Sequence, residues 1–151
     1  MTIYTIGHGR HPLPHFIDLL RQHQIAHLCD VRSMARSRWP QFGGPALAYA
    51  LQKERIGYEH LPECGGKIVA PPPVLGAGLE RIMELAAEVR TVMMCSESQP
   101  LTKHVAQPRA NCHRVGLLAP RLRTQGAGRI IHILPDGDAI EFDESAVPSL
   151  W

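Results

Sequence analysis

Most residues of this chain that could do chemistry stand just after short apolar runs. His8 follows Ile3-Tyr4-Thr5-Ile6 and is flanked by Gly7 and Gly9. Asp30 and Arg32 follow Ala26-His27-Leu28-Cys29, Glu63 and Cys64 follow Tyr58-Glu59-His60-Leu61, and Cys95 and Glu97 follow Thr91-Val92-Met93-Met94. A histidine titrating near neutrality moves protons, and a carboxylate orients or activates. An arginine offers phosphate a planar fork, and a thiolate is a nucleophile. If the four runs are parallel strands, these side chains line one sheet edge. That edge, at the strands' carboxyl ends, is where open α/β sheets bind ligands.

A further cluster is Asn111-Cys112-His113-Arg114. Asn111 reads as an N-cap, which places the next three residues in a helix's first turn. Free amides there favour anions and ease ionisation of a thiol. Cys112 is accordingly a candidate nucleophile, His113 a proton-transfer group and Arg114 an anion grip. Cys95 could face Cys112 as a resolving thiol. Asp30 and Arg32 share a side of their strand, where opposite charges can also simply pair. Arg36, Arg38 and Trp39 follow in a loop; arginine beside an aromatic suits stacking on bases, and a solvated surface is the plainer account.

Several chemistries are excluded by spacing. Cys29, Cys95 and Cys112 are not followed six positions later by Arg, as a cysteine-based phosphatase loop requires. Gly66-Lys67 lacks the glycine and the Ser/Thr of a nucleotide P-loop, and Gly7-His8-Gly9-Arg10-His11-Pro12 lacks the third glycine of a dinucleotide fingerprint. No zinc-module spacing occurs, so no cofactor or metal is assigned.

The elements that must position these residues are legible from periodicity. Leu13, Phe16, Ile17 and Leu20 recur at helical spacing after Pro12 and Pro14, which suit a first turn. Leu47-Ala50-Leu51, Leu79-Ile82-Met83-Ala86 and Val115-Leu118-Ala119-Leu122 give three more helices, the last kinked or shortened by Pro120. Ile130-Ile131-His132-Ile133-Leu134 is a fifth apolar run. The alternation predicts an α/β fold: one domain over 1–151, with a mostly parallel sheet of about five strands and helices on both faces. Ala70-Pro71-Pro72-Pro73 reads as too rigid for a helix. Residues 98–111 read as a lid or a disordered insertion, and 139–151 as an added strand or a flexible end.

Composition bounds the partners. The 151 residues are 44% hydrophobic and 20% charged, with a net charge of +2, so the overall field attracts polyanions weakly. No run approaches the roughly 18 apolar residues needed to span a bilayer. Four cysteines without a Cys-x-x-Cys pair, and a start without a basic leader, predict free thiols in the cytoplasm.

Five ordered motifs carry a family resemblance: Thr5-Ile6-Gly7-His8-Gly9; Asp30-Val31-Arg32-Ser33 with Ser37-Arg38-Trp39-Pro40-Gln41-Phe42; His60-Leu61-Pro62-Glu63 with Gly65-Gly66; Met94-Cys95-Ser96-Glu97; and Cys112-His113-Arg114. Together, from Ile3 to about Gly137, they resemble the DUF488 family, small α/β proteins without an assigned activity. The resemblance implies the fold and the choice of positions, not a reaction. The chain departs from the family pattern at Ala35 (usually Pro), at Cys64 (usually Leu), in a longer segment from Glu97 to Cys112, and at Pro120.

The sequence therefore predicts an enzyme acting on an anionic, phosphate-bearing substrate, a nucleotide or nucleic-acid end. Arg32, Arg38 and Arg114 are expected to bind the anion. His8, Asp30, Cys95, Glu97, Cys112 and His113 are the candidate catalytic groups. Two alternatives remain: a noncatalytic nucleic-acid-binding module, and a thiol redox protein using Cys95 and Cys112.

Overall fold

The computed structural model describes residues 1–151. Its five apolar runs become β1 (Thr2–Gly7), β2 (His27–Asp30), β3 (Gly57–His60), β4 (Thr91–Cys95) and β5 (Arg129–Ile133), all parallel. A sixth strand, β6 (Ala139–Ile140), pairs antiparallel with β5. Of the tail 139–151, Ala139–Ile140 form this strand and Glu144–Ala146 a single 3-10 turn. Sheet order is β3-β2-β4-β1-β5-β6. The two central strands are the most apolar, as burial on both faces demands: all of β4 is buried, and all of β1 after Thr2.

Helices α1 (Leu13–Gln22) and α2 (Gly44–Lys53) cover one face, and α3 (Pro72–Glu88) and α4 (Ala119–Thr124) the other. This is the placement right-handed crossovers give for such a strand order. On the first face Phe16, Leu20, Leu47 and Leu51 pack over Ile6, Leu28 and Met94. On the second, Leu75, Leu79, Ile82 and Leu122 pack over Ile3, Cys29, Met93 and Ile130. Successive strand residues point to opposite faces, so each strand feeds both cores.

Three local expectations need correction. Pro72 and Pro73 do not preclude a helix; they open α3, because a first turn has no use for their missing N–H. Asn111 caps nothing: the Cys112 carbonyl accepts from the amides of Val115 and Gly116, so the helical run opens one residue later. Pro120 does not break that run. A π-helical stretch, Arg114–Leu118, precedes it and places Pro120 in the first turn of α4, where it is tolerated.

Residues 98–111 fold back as an excursion closed by a Leu101–Ala110 bridge, and the Ala110 amide donates to the carbonyl of Pro148. No helix is long and apolar enough to cross a membrane.

Candidate anion site at the carboxyl edge of the sheet

All four strand-end clusters reach the same sheet edge. The His8 amide donates to the Cys95 carbonyl, and the Val31 amide to that of Met94, so β1, β4 and β2 deliver their last residues side by side. The close approach of the β1 and β4 ends requires Gly7, since a Cβ there would lie 1.7 Å from the Glu97 carbonyl oxygen. The expected single crevice nevertheless divides. Residue alternation sends His8, Asp30 and Arg32 to the α1/α2 face and Cys95 to the α3/α4 face, where Cys112 and Arg114 lie.

On the first face Arg32 is a strut. It is only 6% exposed, and Asp30 is fully buried. Arg32 Nε donates to Asp30 Oδ1 at 2.8 Å and Nη2 to Oδ2 at 2.7 Å. Nη1 donates to the Phe42 carbonyl at 2.8 Å and, at longer range, to that of Arg36. Its donors are thus engaged within the protein, and no free fork is left for a substrate. Tyr58 Oη donates to Asp30 Oδ2 at 2.6 Å. Burial and that carboxylate push the tyrosine hydroxyl's pKa upward. Burial opposes the Arg32 charge, but its bonds to Asp30 prevail and raise its pKa. His60 Nε2 lies 2.7 Å from the Arg32 carbonyl, and His113 Nε2 2.8 Å from that of Val31. Both histidines therefore hold the chain as it leaves β2, as donors. Burial lowers the pKa of His113, and its ring packs so closely on Gly66 that a Cβ there would be 2.6 Å away.

His8 is 2% exposed and stacks on Phe42 at 4.4 Å. Its Nδ1 lies 2.6 Å from the Gly9 carbonyl and so carries the proton. Nε2 keeps a lone pair, 3.4 Å from Arg32 Nη1. Burial, against the pull of the Gly9 carbonyl and aided by Arg32, lowers the His8 pKa to about 4. The imidazole is neutral at physiological pH.

Above His8 lies an open cleft of about 510 Å³, lined by Gly9 and Arg10 beyond β1, Arg36 to Trp39 beyond β2, and Ser96 and Ser98 beyond β4. Three arginines face it, and no carboxylate lines it. Arg10, Arg36 and Arg38 are all exposed. Strand β1 leads to α1 on one face and β4 to α4 on the other, so the cleft occupies the topological switch point. Of the expected anion-binding residues, only Arg38 lines it. Glu97 does not; its carboxylate accepts from the Gln99 amide and shapes the turn.

On the second face Arg114 is fully buried, with Nη1 3.2 Å from Cys112 Sγ and 3.8 Å from Cys95 Sγ. It too is out of reach of the cleft. The Cys95 thiol donates to the Glu97 carbonyl at 3.7 Å. The neighbouring Cys95 thiol, with Arg114, holds the Cys112 pKa below the usual thiol range, and burial pushes that of Cys95 up. A separate buried chain joins Thr5 Oγ1 to His132 Nδ1, His132 Nε2 to Glu144 Oε1, both at 2.7 Å, and Glu144 to Arg123. No group of three or more His, Cys, Asp or Glu side chains is placed to hold a metal ion.

Sequence reasoning missed Tyr58, His60 and Phe42 as supports of the Asp30–Arg32–His8 cluster. Tyr58 shares the parity of Asp30 across the β2–β3 register, with Tyr58 opposite Leu28 and His60 opposite Asp30, a signal readable only once that pairing is known.

Residues 12–72 match the family model described as Domain of unknown function DUF488. The chain resembles the DUF488 family. The matched segment runs from the start of α1 to the start of α3 and includes Asp30, Arg32, Arg36, Arg38, Trp39, Tyr58, His60, Gly65 and Gly66. The His8, Cys95 and Cys112 motifs lie outside it. No curated protein and no solved structure matches the chain. The DUF488-like segment thus supplies the Asp30–Arg32 strut and one wall of the cleft, and β1 and β4 supply the rest.

Proposed function

We propose that the chain binds a phosphate-bearing substrate, a nucleotide or a nucleic-acid end, in the cleft at the ends of β1 and β4, and acts on it there. One observation carries the reading: three exposed arginines converge on a cleft without a carboxylate, at the switch point of a parallel sheet. A planar fork suits phosphate oxygens bidentately. Ser96 and Ser98 add hydroxyl donors, and the half-buried Trp39 adds a stacking face for a base. With a pKa near 4, His8 is a neutral imidazole at neutral pH and its one N–H is held by the Gly9 carbonyl, so its part in the reaction is that of an acceptor through Nε2.

Titrating inorganic phosphate, mononucleotides and oligonucleotides at two salt concentrations tests this. The expected result is mononucleotide binding that is nearly independent of strand length and falls about tenfold in Arg38→Ala. The exposed run from Arg36 to Trp39 favours a second reading, a noncatalytic nucleic-acid-binding surface. Affinity rising steeply with strand length and falling steeply with salt would select that reading instead.

A further inference from the structure

Arg114 poses a problem that the anion cleft does not solve. Its side chain is among the largest fully buried ones in the protein, yet Nε and Nη2 have no hydrogen-bond partner and no carboxylate bonds it. The buried Glu144 is taken by Arg123 and His132. A buried guanidinium needs a counter-charge. The groups touching Nη1 are the sulfurs of Cys112 and Cys95. These are contributed by the two ends of the 98–111 excursion: Cys95 closes β4, and Cys112 begins the helical run that follows.

We infer that Cys112 and Cys95, gathered around Arg114, form a peroxide-reactive dithiol, with Cys112 as the nucleophile and Cys95 as the resolving thiol. Arg114 stabilises the Cys112 thiolate as its ion pair. The thiolate attacks the distal oxygen of a hydroperoxide; an S–O bond forms, the O–O bond breaks, and the leaving alkoxide or hydroxide takes a proton from solvent. The unpartnered Nε and Nη2 of Arg114 are donors available to that departing oxyanion. The Cys95 sulfur, losing its proton, then attacks Cys112. The S–S bond forms, the S–O bond breaks, and the hydroxyl leaves with that proton as water. The peroxide has accepted two electrons and the dithiol has lost two. A small-molecule or protein thiol, itself oxidised to a disulfide, restores the reduced pair. With Cys112 only 7% exposed and Cys95 3%, the oxidant class is restricted to small peroxides.

Cys29 and Cys64 serve as internal controls. Both are buried, neither hydrogen-bonds a cation, and burial pushes both thiols up to about 12. The low reactivity expected of them follows from that environment.

The test uses the full-length reduced protein treated with hydrogen peroxide, alkylated in acid, digested and mapped by mass spectrometry. The expected first product is a Cys95–Cys112 disulfide, with Cys29 and Cys64 still reduced. Cys95→Ser should instead accumulate a sulfenic acid on Cys112, trapped as its dimedone adduct. Oxidation starting at Cys29 or Cys64 would overturn the inference. So would a wild-type protein whose Cys95 and Cys112 remain thiols under exposure that oxidises free glutathione, or a folded Cys95→Ser protein without the adduct. The wild-type map decides the matter even if the variant does not fold.

Discussion

Replacing Asp30 by Asn tests whether Arg32 is a strut or a substrate-binding group. The carboxylate accepts three side-chain bonds, two from Arg32 at 2.8 and 2.7 Å and one from Tyr58 at 2.6 Å. Bonds to charged groups are worth about 1.5–3 kcal/mol each, and breaking a buried ion pair from one side costs about 3–5 kcal/mol. Asn keeps one acceptor oxygen, so a loss of about 3 kcal/mol is expected. With a urea slope of about 2 kcal/mol/M, the unfolding midpoint should fall by about 1.5 M. Arg38→Ala removes an exposed side chain and should move stability by no more than about 0.5 kcal/mol. The double variant Asp30→Asn/Arg32→Met removes both charges and should recover part of the loss. An unchanged midpoint in Asp30→Asn, accompanied by lost phosphate affinity, would refute the strut and return Arg32 to the binding site.

The fold should also weaken in acid through His8. Its folded pKa of about 4 lies below the ordinary 6.5, so the unfolded chain takes up the proton first. Stability is therefore full above about pH 6.5 and falls as pH drops towards 4, by about 3 kcal/mol in total from this group. His11, His27, His113 and His132, all lowered by burial, act in the same direction. Urea midpoints that do not fall between about pH 7 and about pH 5 would contradict this. Gly7→Ala drives a Cβ into the Glu97 backbone and should cost about 3 kcal/mol, measured by thermal unfolding; a neutral substitution would show that β1 and β4 ends can separate freely. Alkylation of the reduced protein should label Cys112 ahead of Cys29 and Cys64 near neutral pH, read by peptide mapping, and equal labelling would refute its thiolate character.

The strands were legible because each is a short apolar run stopped by a polar cluster, and the shared sheet edge followed from making them parallel. Pairing of Asp30 with Arg32 was legible too, from their spacing of two on one strand. Division of the chemistry between two faces was not. It depends on the register of β4, which sets Cys95 beside Gly7 and Met94 beside Asp30, and nothing local to Thr91–Cys95 specifies that register. The Pro71-Pro72-Pro73 run misled because proline is costly inside a helix and nearly free at its start. Cleft residues Arg10 and Arg36 could not be told from solvated surface without the loops' three-dimensional approach. Nor could Glu144, in an acidic tail, be recognised as a buried partner of His132 and Arg123.

The central claim, a phosphate-bearing ligand at the switch point, is tested most directly by mapping backbone amide resonances during titration with a mononucleotide. The account predicts saturable shifts from His8 to Arg10, from Arg36 to Trp39, and at Ser96 and Ser98, the residues that line the cleft. Shifts confined to the other groove at this end of the molecule, about 330 Å³ between Gln99–Lys103 and Leu134–Asp136, or no shifts at all, would contradict it.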